Sequence, residues 1–284
     1  MISGNTPLET RVAESRSRIE LIIFHHIAAA LYLAAGVGAI LGLLLPAPRV
    51  LRGARWGLAL GALAQAAAFG TLHRLDRAPA LTDLRMAIAV MAWLGVLFTL
   101  VLLTRYRLPG FVPPVAFVGF LSAFGATLAG SEPATRMAAF GSIPHAHVLL
   151  ASAGFAALGV AALAGTFYLL EHRALKRRRS LAGRIPLPLP SLETLDQVNR
   201  IALVLGFSLL TLGVLTGLLW LEDQSGQLVS GSLHEAWTVV AWMIYLGLVL
   251  LRFAGRQGAR QAAASAVAGF AFLLFAVVGV GLVS

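Results

Sequence analysis

Cysteine is absent from all 284 residues, so disulfides, thiolate metal sites and thiol nucleophiles are excluded from the start. Charge is scarce as well. Only 12% of the residues are Asp, Glu, Lys or Arg, where a soluble domain carries about 25%. No Gly-rich phosphate loop followed by Lys-Ser/Thr occurs, and there is no GxSxG elbow or HExxH pair. The apolar stretches hold no carboxylate at their centres, which leaves a proton-coupled transporter little to work with. What fills the space is hydrophobic: 58% of the residues are apolar and mean hydropathy is +0.84. So apolar a chain cannot cover a globular surface with polar groups, and lipid must solvate much of it.

Eight apolar stretches separate at about 21–45, 56–73, 85–104, 111–130, 146–170, 199–220, 234–252 and 263–283. A spanning helix needs about 20 apolar residues, and lipid cannot satisfy an open backbone, so these stretches are expected to be helices. The expectation is an all-α integral membrane protein: a polar tail at 1–20 and one bundle of about eight transmembrane helices over 21–283. Runs such as GLALGALAQAAAFG and GFAALGVAALAG predict close helix contacts through small residues. Pro113 and Pro114 fall where a helix start tolerates proline. Ser191, ahead of Leu-Glu-Thr-Leu-Asp, is expected to cap a helix. The polar N-terminal tail shows no cleavage pattern, so the first span is expected to be retained.

The net charge of +10 follows from loop arginines rather than a nucleic-acid surface, since the basic residues lie between apolar spans. Fifteen of the 22 Lys and Arg residues fall in four alternate loops (46–55, 105–110, 171–200 and 252–262), the richest being the third, whose stretch 171–198 holds Arg177, Arg178 and Arg179. The positive-inside rule places those loops in the cytoplasm of a bacterial inner membrane and both termini outside. The three arginines of the N-terminal tail pull the other way.

Six of the seven histidines then gather at or near the outer face: His25, His26, His73, His145, His147 and His234. Neutral imidazole is a common ligand for haem iron. His147 and His234 each open a span and suit a pair of axial ligands, with Phe155, Trp237 and Trp242 following as apolar walls. His145 and His147 are about 200° apart on a helix, so only one can face the interior, and spacing leaves open which. Interfacial anchoring is the plainer account of His145, His73 and His25, as a membrane-interface belt is for Trp56, Trp220 and Trp237. Glu235 is placed either to orient an imidazole or to sit exposed at the interface.

The runs IPHAHVLLASAGFAALGVAALAGTFYLLEHRALKRRR and LPSLETLDQVNRIALVLGFSLLTLGVLTGLLW resemble the CcsA/HemX cytochrome c assembly family, as does HEAWTVVAWMIYLGLVLLRF. The resemblance covers about 145–283 well and 83–104 loosely. It implies haem handling, with His147 at the place of an outer-face axial ligand. The family's synthases carry a WGxxWxWDxKE segment and a late GLHSY histidine. Here LEDQSGQLVSGSLHEAW and VGVGLVS stand instead, which points to the HemX-like or YpjD-like branch and away from haem attachment. A further histidine of those synthases falls near Gln65 or His73.

The resemblance therefore implies a non-enzymatic haem b protein, with His147 and His234 as iron ligands. It would regulate tetrapyrrole synthesis through glutamyl-tRNA reductase, docked on Arg177, Arg178 and Arg179. The alternative is a haem carrier that serves cytochrome c maturation with a partner subunit. A small-solute transporter and a plain scaffold are the remaining readings.

Overall fold

The computed structural model describes the backbone of residues 7–45, 47–74, 84–128, 142–176, 190–226, 233–255 and 257–283; side chains at 7–18, 72–74, 84, 142–145, 224–225, 233–234 and 277–283 fall outside the description. Every regular element among the described residues is helical. The helices are α1 (Pro7–Leu44), α2 (Pro48–Arg74), α3 (Leu84–Arg105), α4 (Val112–Thr127), α5 (Ser142–Lys176), α6 (Leu192–Ser225), α7 (Leu233–Phe253) and α8 (Ala259–Val283), with a 3-10 turn at Pro109–Phe111 before α4. Seven are long and apolar enough to cross a membrane, and this is a multi-pass membrane protein. The exception, α2, spends its first two turns on Arg49, Arg52 and Arg55, which leaves a shorter apolar run.

Several helices outrun their apolar spans. Helix α5 has 35 residues, about 52 Å at 1.5 Å per residue, against a hydrocarbon core of about 30 Å. Helix α1 likewise continues into the polar tail, starting at Pro7. Ser191 caps α6 as its sequence context predicts, accepting the Thr194 amide at 3.2 Å. Gly226 ends α6 in the left-handed conformation, φ 67°, which glycine adopts without a Cβ penalty.

Cross-helix pairs fix the course of the chain. Tyr32 meets Gln65, Ala62 meets Trp93, and Arg85 meets Leu128, so α1–α4 run alternately up and down. Asn199 meets Ala161, Trp242 meets Thr211, and Trp237 meets Phe272, which continues the alternation through α5–α8. The start of α1 and the end of α8 therefore lie at one end of the bundle, here the terminal end. The ends of α1, α3, α5 and α7 lie at the other, the basic end.

The interior has two main parts. In α1–α4, Tyr32 is buried among alanines and donates to Gln65 Oε1 at 2.8 Å; Gln65 Nε2 donates to Ala89 O at 3.2 Å. In α5–α8, glycines bring α5 and α6 into backbone contact. A Cβ on Gly154 would lie 2.6 Å from Leu210 N, and one on Gly213 would lie 2.9 Å from Ala151 Cα. Lipid offers no hydrophobic drive for helix pairing, so this close packing supplies the cohesion. Large apolar side chains such as Leu63, Val101, Leu121 and Phe275 point outward to the hydrocarbon.

Candidate functional site

The α5–α6 contact sets one histidine with care. His147 sits in the second turn of α5, at the terminal end, and its Nδ1 lies 2.7 Å from Gly213 O on α6. A carbonyl can only accept, so Nδ1 carries the proton and donates. In the neutral imidazole, the form that binds a metal, this leaves the lone pair on Nε2. A ligating histidine usually has its other ring nitrogen held in this way by a carbonyl or carboxylate.

Helix α6 makes room for the ring. A Cβ on Gly217 would lie 2.8 Å from His147 Cε1 and 2.9 Å from Nδ1, so only glycine leaves the imidazole its place. Trp220, one turn further, lies beside the ring, with centroids 6.4 Å apart and planes tilted by 31°. Thr216 Oγ1 also donates to Gly213 O, at 2.9 Å. Gly213, Thr216, Gly217 and Trp220 recur at helical spacing on one face, so the LG-xx-TG-xx-W pattern is a cradle for His147.

The other expected site residues are placed as follows. Phe155 lies against Phe270 of α8, centroids 5.1 Å apart. Trp237 meets Phe272 and Phe275 of the same helix. Trp242 donates to Thr211 Oγ1 at 3.0 Å and stacks on Phe207. Among the described residues, none of the three makes a ring contact with His147; they line the seams between α5, α6, α7 and α8. His234 opens α7 at the terminal end, as His147 does on α5, but its side chain lies outside the described residues. So do the side chains of His145 and His73, and the whole of Arg177, Arg178 and Arg179.

Trp220, read as an interfacial belt residue, is half-buried beside His147 near the end of α6. One residue read as an interfacial anchor is an interior one instead. His25 is 1% exposed, with Nδ1 3.0 Å from Leu21 O and its ring edge-on to Phe69 at 5.9 Å. Its Nε2 is buried without a hydrogen-bond partner among the described residues. The neighbouring His26 is the one that faces outward. Gln65 is committed to Tyr32 and Ala89. His172 stacks on Tyr168 at the basic end.

Among the described residues, no three His, Asp or Glu side chains converge as a protein metal cage. A haem needs none, because its macrocycle supplies four of the iron ligands and the protein only the axial ones. A neutral imidazole with a fixed tautomer suits that role, so His147 fits the group.

The sequence matches the family model described as Cytochrome C assembly protein over residues 58–284. It is 33% identical over 90 residues to the cytochrome c biogenesis protein CcsA of Prochlorococcus marinus strain MIT 9303, covering 32% of this chain and 28% of that protein. The CcsA of strain NATL1A is 27% identical over 107 residues, 38% of this chain and 34% of the relative. The CcsA of Microcystis aeruginosa strain NIES-843 is 29% identical over 103 residues, 36% and 31% respectively. The matched stretch thus spans only about a third of each of these relatives.

Proposed function

The chain belongs to the cytochrome c assembly protein family, and from that premise we propose that it is a haem-holding membrane protein of cytochrome c maturation, not an enzyme. The observation that supports this most is the 2.7 Å bond from His147 Nδ1 to Gly213 O, which reserves Nε2 for a ligand. In this reading His147 and His234 hold the iron of a b-type haem, because both open helices at the terminal end. Bound haem would supply an iron centre that accepts and releases an electron. The chain's own part is narrower: Gly213 fixes the imidazole tautomer, Gly217 leaves space for the ring, and Trp220 flanks it. The basic loops belong in the cytoplasm of a bacterial inner membrane, by the excess of Lys and Arg there, so the haem end lies outside.

The test is the optical spectrum of detergent-purified protein, oxidised and reduced, for wild type, His147→Ala and His234→Ala. Wild type is expected to give a low-spin bis-histidine spectrum that each substitution abolishes. A wild type that stays colourless after haem is added refutes the proposal.

One feature favours a second reading. Between α6 and α7 the chain reads LEDQSGQLVSGSLHEAW in place of a tryptophan-rich segment that would present haem to an acceptor. A HemX-type regulator needs no such surface and would act on glutamyl-tRNA reductase through the basic loop with Arg177, Arg178 and Arg179. Deletion of the gene separates the two. Loss of c-type cytochromes with normal tetrapyrrole levels supports maturation, and the reverse supports regulation.

A further inference from the structure

At the basic end, away from His147, the starts of α2 and α6 and the turn after α3 enclose a cleft of about 880 Å³. Four arginines line it: Arg52 and Arg55 from α2, and Arg105 and Arg107 around the α3–α4 turn. Pro190, Ser191 and Thr194 form another wall, so the positive end of the 34-residue α6 adds to the same field. Among the described residues, no carboxylate lines the cleft.

The nearby acid, Glu193 in the first turn of α6, does not line the cleft. Among the described residues, none of the four arginines has an ion-pair partner. Asp196, two residues beyond Thr194, is engaged by Arg252 and Arg200. Arg52, Arg105 and Arg107 are exposed and Arg55 is half-buried, so the four guanidiniums are accessible to an anion, whose presence would relieve their mutual repulsion.

The surroundings indicate which anion. Beside it, the end of α1 carries Leu44 and Leu45, α2 carries Trp56 and α3 carries Val101, each with half or more of its surface exposed, and Trp56 (71% exposed) directly follows Arg55. A cationic cleft opening onto an exposed apolar flank suits a ligand with a charged head and hydrocarbon tails. Basic pockets between transmembrane helices hold phosphate headgroups on this principle, with arginine able to grip phosphate by two parallel hydrogen bonds.

We propose that the Arg52–Arg55–Arg105–Arg107 cleft binds the phosphates of an anionic lipid, with a headgroup carrying two phosphodiesters preferred over one carrying a single phosphate. The lipid's chains lie along the exposed side of α1–α3 and tie the α1–α4 half of the bundle to the start of α6. The site is independent of the haem reading.

Thermal unfolding of the full chain in neutral detergent tests it, with added cardiolipin, phosphatidylcholine or inorganic pyrophosphate. Cardiolipin is expected to raise the midpoint by several degrees, and phosphatidylcholine to leave it unchanged. Arg52→Gln/Arg55→Gln/Arg107→Gln should lose most of that shift. A control that removes three charges from the same end outside the cleft, Arg49→Gln/Arg173→Gln/Lys176→Gln, should keep it. Equal loss in both triple variants means diffuse surface charge and overturns the site. Equal protection by pyrophosphate overturns the lipid as its source. Native mass spectrometry of wild type serves as a check that needs no variant to fold: cardiolipin should stay bound at collision energies that strip phosphatidylcholine, and equal retention overturns the proposal.

Discussion

Replacing Gly217 by alanine should weaken haem binding without touching a ligand. The added Cβ would stand 2.8 Å from His147 Cε1 and 2.9 Å from Nδ1, whereas carbon atoms settle at about 3.5–4.0 Å. Something must withdraw by roughly 0.7–1.2 Å. The helices are poorly placed to do so, since α5 and α6 already touch backbone to backbone at Gly154 and Gly213. The imidazole therefore moves. Its 2.7 Å bond to Gly213 O stretches to about 3.4–3.9 Å, beyond useful hydrogen-bond range. Loss of a partner that orients a ligating histidine typically costs 10- to 100-fold in affinity, equal to about 1.4–2.8 kcal/mol. Absorbance titration of the haem-free protein in detergent measures this directly, with Gly247→Ala as control because nothing lies within 4 Å of its Cβ position. The predicted order is wild type and Gly247→Ala together, Gly217→Ala weaker by that factor, and His147→Ala weakest. Wild-type affinity in Gly217→Ala, alongside a dead His147→Ala, would refute the cradle.

Four further outcomes follow from particular contacts. Tyr32→Phe strips Gln65 Oε1 of its buried donor and should cost about 1 kcal/mol, read as a lowered unfolding midpoint with haem binding intact. Gly154→Val drives a side chain against the Leu210 backbone, which cannot rotate away; a loss of about 3 kcal/mol or more should appear as poor recovery from the membrane. Asp196→Ala leaves Arg252, only 7% exposed, without its carboxylate. A loss of about 3 kcal/mol is expected there, and an unchanged midpoint would show that water reaches the guanidinium. Because the chain has no cysteine, single substitutions give unique labels. Lys176→Cys should react with membrane-impermeant maleimide only after the cells are opened, and Asp223→Cys in intact cells; the opposite pattern inverts the topology.

The apolar runs, their lengths and the alternation of basic loops determined the eight-helix membrane architecture from the sequence alone. These are one-dimensional quantities: hydrocarbon thickness sets the run length, and lipid forces the backbone into helices. The Ser191 cap was legible for the same reason, being a contact between residues three apart. Which neighbour each helix faces was not legible. Alanine and glycine predict that helices approach closely, yet any small face would serve, and only the packed bundle selects α6 for α5 and α2 for α1. His147 shows the consequence. A histidine opening a span was visible, but its tautomer is decided by a carbonyl 66 residues away and its space by a glycine four residues beyond that carbonyl's residue. His25 was misread as interfacial because depth along a helix can be counted from the sequence. The direction in which a side chain points around that helix depends on what packs against it, and tertiary structure alone supplies the partner.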